Sequence, residues 1–255
     1  MAFTVPVIGI FTSGVASGST PQQRQARLAA DIARSNEAWG SGFFPGVICS
    51  MNFVAAGRFI STTTINSRSV NSLEDPRLVA LIDSTKRQTN NATALYVVYV
   101  SGEFLTSSGT VVGIGGPRFK FFRSTTDYGL YGHIVMSDGA LNTYALPHEA
   151  GHCLFGRFLN SNPNSFTIND PSNPGSAHNN NPQNLMFPVL PARNPFINSA
   201  QCVTARQSKI VLQNTSAARR KTGNNLQMVR KLNRAIATRI RYMKKTIVRR
   251  SLKKK

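Results

Sequence analysis

The sequence predicts a mixed α/β (α+β) fold, and three observations carry that prediction. Short apolar, β-branched runs alternate with stretches of helical periodicity along the first two thirds of the chain. A total of 255 residues, 41% of them apolar, is ample for a buried core. No apolar run is long enough to cross a bilayer, so an integral membrane protein with helical spans is excluded.

The elements follow in order. Val5 to Phe11 is apolar and β-branched and predicts a buried strand. Ser19-Thr20-Pro21 has the chemistry of a helix start. From Gln22 to Trp39, Leu28, Ala29, Ile32, Ala33 and Trp39 recur at helical spacing. Pro45 to Val54 predicts a second strand, and Asp75-Pro76 followed by RLVALIDS a short helix. Ala94 to Val100 is a strong strand signal. Thr110 to Ile114 is a shorter strand, stopped by Gly115-Gly116-Pro117, and Gly132 to Met136 is another. Leu146 to Phe158 predicts a helix ending near Gly156. Residues 160–198 contain 11 Asn among many Pro and Ser and predict loop, and Ser199 to Leu212 predicts a last helix.

The charge divides the chain. Residues 1–215 carry 15 basic and 10 acidic side chains, whereas residues 216–255 carry 15 basic and none acidic. The expected organisation is a nearly neutral domain, 1–215, with a basic extension, 216–255. In the extension Leu226, Val229, Leu232, Ile236, Ile240, Met243 and Ile247 recur every three or four residues. Among them lie Arg230, Lys231, Arg234, Arg239, Arg241, Lys244, Lys245, Arg249 and Arg250. This is the pattern of an amphipathic cationic helix, suited to an anionic surface or a polyanion. It lacks the aromatic interleaving of a base-stacking surface. The equal alternative is a solvated tail whose apolar stripe packs on the domain or folds with a partner.

Residues 147–158 read PHEAGHCLFGRF. His148 and His152 are four apart and share one face of a helix. Two imidazoles so placed can bind one zinc ion, and Glu149 beside the first is positioned as a general base. The chain has only four His and four Glu, so this register is rare by chance. A catalytic zinc needs a third protein ligand and an open position. The remaining histidines are His133, in the strand GHIVM, and His178, in the loop SAHNNNPQNLMFP. A loop can bring a ligand over a helix face, so His178 is the stronger candidate and Asp170 the carboxylate alternative. His133 reads as an edge-strand residue near the cleft.

HEAGH, His178 and then Asn184-Leu185-Met186-Phe187-Pro188 together resemble the metzincin zinc peptidases, in which HExxHxxGxxH is followed by a methionine turn beneath the metal. The resemblance spans roughly residues 1–215, with HEAGH and NLMFP its specific parts. It implies a zincin-like fold: a twisted mixed sheet, a backing helix, an active-site helix above a cleft, and a smaller loop-rich part holding His178, Met186 and the last helix. It also implies one catalytic Zn2+ on His148, His152 and His178, Glu149 as catalytic base, and Met186 as a hydrophobic floor. The chain departs from the family pattern in two places. Gly156 stands one residue beyond the family glycine position, and Phe158 occupies the usual third-histidine position. His178 lies 26 residues past His152, so the intervening insertion must loop out and return.

The implied activity is hydrolysis of peptide bonds in a peptide or protein substrate by a zinc-activated water, with Glu149 moving the proton. The strand Gly132, His133, Ile134, Val135 is the expected docking strand for an extended substrate. The alternative reading is a polyanion- or membrane-surface-binding protein whose zinc site is structural or inactive. An intact Glu149 favours the enzyme, because a structural site needs no base. A monomer is expected. The opening residues lack a charged start and a cleavage site, so a cytoplasmic location or export by a non-standard route is expected. Three cysteines allow at most one bridge. Either Cys153 and Cys202 pair or the thiols stay free and buried. Calcium is not expected in the Asn-rich loop, whose only acid is Asp170.

Overall fold

A computed structural model describes residues 3–106, 109–121, 126–160 and 162–213. The predicted basic helix and its stripe from Arg230 to Arg250 lie outside the described residues. The elements run β1 (Phe3–Ser13), α1 (Pro21–Ser35), β2 (Met51–Thr64), α2 (Pro76–Thr89), β3 (Leu95–Tyr99), β4 (Gly113–Phe121), β5 (Tyr128–Met136) and α3 (Ala145–Leu154). After α3 come the two short strands β6 (Arg157–Phe158) and β7 (Phe166–Thr167), then α4 (Ser199–Gln207) and β8 (Leu212–Gln213). The main sheet has the order β2-β1-β3-β5-β4, all parallel except β4, which runs antiparallel to β5. β8 pairs with Phe3 and Thr4 at the start of β1, where β3 does not reach.

Helices cover both faces of this sheet, which is why the central strands are apolar throughout rather than alternating. Val5, Val7 and Phe11 of β1 pack with Val97, Tyr99, Ile134 and Met136 against Leu28 of α1 and Ala150 and Leu154 of α3. Ile8 and Ile10 pack with Tyr96, Val98 and Val135 against Leu78 and Ile82 of α2. Each such aliphatic side chain contributes roughly 1.5–3 kcal/mol on burial. The helix starts follow from sequence chemistry. Thr20 and Gln23 form a reciprocal capping box, with Pro21 in the first turn of α1. Asp75 caps α2 at 2.9 Å from the Arg77 amide, with Pro76 following.

Several expected boundaries are corrected. The strand predicted at Pro45–Val54 begins at Met51 and continues to Thr64. β2 is an edge strand whose backbone pairs with β1, and its exposed positions mix Asn52, Ala55, Ala56, Arg58 and Ile60, so they give no alternating apolar signal. α1 ends at Ser35 and passes into one π-helical turn, Asn36–Ser41. There the Asn36 side chain bonds both backbone groups of Phe53, at 2.7 and 3.1 Å, tying the helix end to β2. Gly115-Gly116-Pro117 does not stop a strand but sits inside β4, where Pro117 is tolerated because β4 is the other edge. α4 stops at Gln207, earlier than predicted.

β5 is not an edge. It is paired with β3 on one side and β4 on the other, so Gly132, His133, Ile134 and Val135 cannot take an added substrate strand. The edge on this side is β4. The cysteine pairing also differs from expectation. Cys202 is joined to Cys49, and Cys153 is a buried free thiol. Cys153 packs onto the sheet at Gly132, where an added Cβ would stand 3.0 Å from its sulfur, and so faces away from α4.

Candidate metal centre

All ten residues of α3 are buried, which is unusual for a helix carrying two His and a Glu. The helix is wedged between the sheet and the segment after β7, and three glycines allow the wedge. A Cβ on Gly115 would lie 2.7 Å from Glu149 Cβ and 2.9 Å from its carbonyl oxygen, so β4 approaches α3 only because that position is glycine. Gly113 lets the strand pass the Glu149 side chain in the same way. Behind the helix, a Cβ on Gly151 would stand 2.9 Å from Met186 Cε, and Trp39 closes the same side. The Trp39 indole donates to the Pro147 carbonyl at 3.0 Å and sets its ring edge against Phe155.

On the side of α3 that meets the loop after β7, the imidazoles of His148, His152 and His178 converge. One ring nitrogen from each lies within 4.8 Å of the others. The nitrogens Nε2 of His148 and His152 are 3.2 Å apart, and the three ring centroids are separated by 4.9, 4.9 and 5.5 Å. His148 Nδ1–H donates to the Leu185 carbonyl at 2.7 Å, which sets the tautomer and leaves Nε2 as a lone-pair donor facing the cluster. His152 Nδ1 is buried and has no hydrogen-bond partner among the described residues. Burial pushes the His148 imidazole down to about 4 and the His152 imidazole well down, with neighbouring imidazoles acting in the same direction. Three imidazoles that each bring one ring nitrogen within 4.8 Å of the others fit a divalent cation. The cluster can hold a metal ion.

His178 reaches the cluster from the loop predicted to loop out and return. Asn179 N donates to the Met186 carbonyl at 2.8 Å, pinning the His178 segment to the turn below α3. That turn is formed by Asn184 to Phe187: Phe187 N bonds the Asn184 carbonyl at 3.0 Å, and Asn184 Oδ1 accepts the Met186 amide at 2.9 Å. Met186 is fully buried under the helix. Asp170, the carboxylate alternative, is not part of the cluster, because its oxygens are engaged by Ser172, Asn179 and Gln201.

His133 points to the opposite face of the sheet. Its pairing partner Gly116 faces Leu73 on the α2 side, and Arg118 and Glu74, themselves an ion pair, are the charges that act on its ring. Burial pushes its imidazole down to about 4.

Glu149 lies beside His148 on a cavity of about 560 Å³, whose walls include Val111, Val112, Thr143, Pro188 and Leu190. Burial pushes its carboxyl up to about 8, partly offset by a hydrogen bond from the Gly115 amide.

No protein-family model and no curated protein matches the chain. Solved structures resemble it at low identity, two of them as follows. One is metalloproteinase-II from Bacteroides fragilis, with 14% identity, a TM-score of 0.47, and coverage of 80% of this chain and 52% of that chain. The other is described as a chaperone–substrate complex, with 13% identity, a TM-score of 0.44, and coverage of 82% of this chain and 35% of that chain. The chain therefore spans about half the length of the first and about a third of the second.

The sequence reading named the three histidines that the structure brings together, and it set aside His133. It missed the polar side chains that organise the loop, Asn184 and Gln201, and it considered Asp170 only as the carboxylate alternative to His178. It also missed the reason for Gly113 and Gly115. The one available signal was Asp170 itself, the lone acid of the Asn-rich stretch 160–198.

Proposed function

We propose that the chain is a zinc-dependent endopeptidase of the metzincin type. The observation that carries the reading is the convergence of His148, His152 and His178, with His148 and the buried Glu149 lining one cavity. Zinc bound there would supply Lewis acidity, lowering the pKa of a water and polarising a carbonyl oxygen. The remaining chemistry belongs to the chain. The Glu149 carboxyl, drawn by the neighbouring cation back below the value of about 8 that burial gives it, is ionised, and the carboxylate takes a proton from the attacking water and returns it to the leaving amine. The Gly115 amide holds that carboxylate in place. The apolar walls of the cavity exclude bulk water and receive a side chain adjoining the scissile bond. An extended peptide meets the sheet at the β4 edge, close to Gly113 and therefore to Glu149.

The test is zinc content per chain and cleavage of a mixed peptide library by wild type and Glu149→Ala. One zinc in both proteins, with turnover reduced by about 10²–10⁴-fold in the variant, is the expected result. A variant as active as wild type ends the reading. The binding activity expected of residues 216–255 is a separate proposal. It is read by comparing retention on anionic vesicles or heparin of the full chain and of a chain ending before Ser216.

A further inference from the structure

We propose that Asp170 is the positioning residue of the third ligand: its buried carboxylate holds the His178 loop in the metal-binding geometry and thereby sets metal affinity. The proposal rests on reading His148, His152 and His178 as the metal site.

Asp170 is fully buried, where an uncompensated carboxylate would cost several kcal/mol. It is compensated by four donors from three places. Oδ1 accepts from the Ser172 amide at 2.8 Å and the Ser172 hydroxyl at 2.6 Å, which folds its own turn. Oδ2 accepts from Asn179 Nδ2 at 3.0 Å, on the residue after His178. It also accepts from Gln201 Nε2 at 2.7 Å, on α4. Gln201 passes the constraint on. Its Nε2 donates to Asn184 Oδ1 at 2.9 Å and its Oε1 accepts from Asn184 Nδ2 at 3.0 Å, while Asn184 shapes the turn holding Met186. At the other end Arg157 donates to the carbonyls of Phe155 and Asn169, at 2.8 and 3.1 Å, so the loop entering Asp170 is fastened to the end of α3.

This arrangement answers a specific difficulty. A ligand on a 26-residue excursion from its neighbour must be placed to within tenths of an ångström, and an unbraced loop would lose its conformational freedom at the moment of binding. The carboxylate does that ordering beforehand. It touches the turn before His178, the residue after it and α4 together, and the Ser172 hydroxyl it accepts from also bonds Asn179 and the α4 cap Asn198. An amide in its place would face a donor toward Ser172, Asn179 or Gln201, each of which also donates. The geometry would then be lost while the volume stays the same.

The experiment measures zinc dissociation constants by chelator competition on full-length protein, stripped and reloaded. The proteins are wild type, Asp170→Asn, His178→Ala and the double variant. Cobalt(II) absorption spectra report the ligand set, and apoprotein unfolding reports folding. Asp170→Asn should weaken zinc binding about 10–100-fold and shift the cobalt spectrum toward that of His178→Ala. In the His178→Ala background it should cost nothing further, because its effect runs through that ligand. Asn179→Ala, on the partly exposed side of the network, should weaken binding in the same direction by a smaller factor, and it decides the question if Asp170→Asn does not fold. Unchanged affinity in the folded variants, or an undiminished loss in the His178→Ala background, overturns the proposal. Wild type that takes up no zinc overturns the metal-site reading and the proposal together, an outcome distinct from tight wild-type binding with unaffected variants.

Discussion

His148 and His152 stand on a helix buried on every side by the sheet, Trp39 and Met186, whereas His178 stands on a loop with a backbone held by amides, hydroxyls and one carboxylate. The first pair is placed by shape. Glycines at 113, 115 and 151 let neighbours come close, and apolar side chains fill what remains. The third ligand is placed by hydrogen bonds whose partners are far apart in sequence. The difference teaches that one site can combine two kinds of rigidity. Packing tolerates volume-conserving changes and fails on loss of volume, while a polar network tolerates little change of chemistry at any volume.

The sharpest way to break the comparison is on the packed side. Trp39→Ala removes a fully buried indole and its bond to Pro147, and should cost about 3–5 kcal/mol in urea denaturation. A loss under about 1 kcal/mol would show that α3 is not held by packing. Acid provides the next test. His133 has a folded pKa of about 4 against an ordinary 6.5, so the folded state favours the neutral ring. Its contribution is complete above pH 6.5 and is lost as pH falls from 6.5 towards 4, by up to roughly 3 kcal/mol. His133→Leu should flatten the stability-against-pH curve in that window and leave it unchanged above pH 7. An equal slope in both proteins would remove His133 from the account. On the polar side Gln201→Leu conserves volume approximately but strands Asp170 and Asn184. It should cost about 2 kcal/mol, although no packing is lost. A neutral outcome there would mean that the loop is held by its backbone turns alone, and the contrast between the two sides would collapse.

Legibility in the sequence followed the range of the interactions. β1, β3, α1 and α2 were visible because their signals are local: apolar runs, helical spacing, and Thr20 and Asp75 before proline. HEAGH was visible for the same reason, since four residues fix the relation of His148 to His152 on any helix. β4 was misjudged because Gly115-Gly116-Pro117 is locally a strand breaker. Only the pressure of α3 against that strand makes glycine the required residue. The sheet order was equally hidden, so β5 was mistaken for the edge that β4 provides. Strand neighbours are chosen by pairing across long separations, which leaves no trace in a single strand. The bridge between Cys49 and Cys202 spans 153 residues, and no spacing rule reaches that far.

The sequence by itself determined the alternation of strands and helices, the two-histidine helix with its glutamate, and the division of charge between residues 1–215 and 216–255. Each of these is written in neighbours a few residues apart. Only the tertiary structure decided that His178 completes the cluster, that Asp170 braces the loop instead of joining the ligands, that Cys49 is the partner of Cys202, and that β4 forms the edge beside Glu149. These depend on which distant segments share a surface, and that is settled by the simultaneous burial of apolar faces and the pairing of buried polar groups, not by any local pattern.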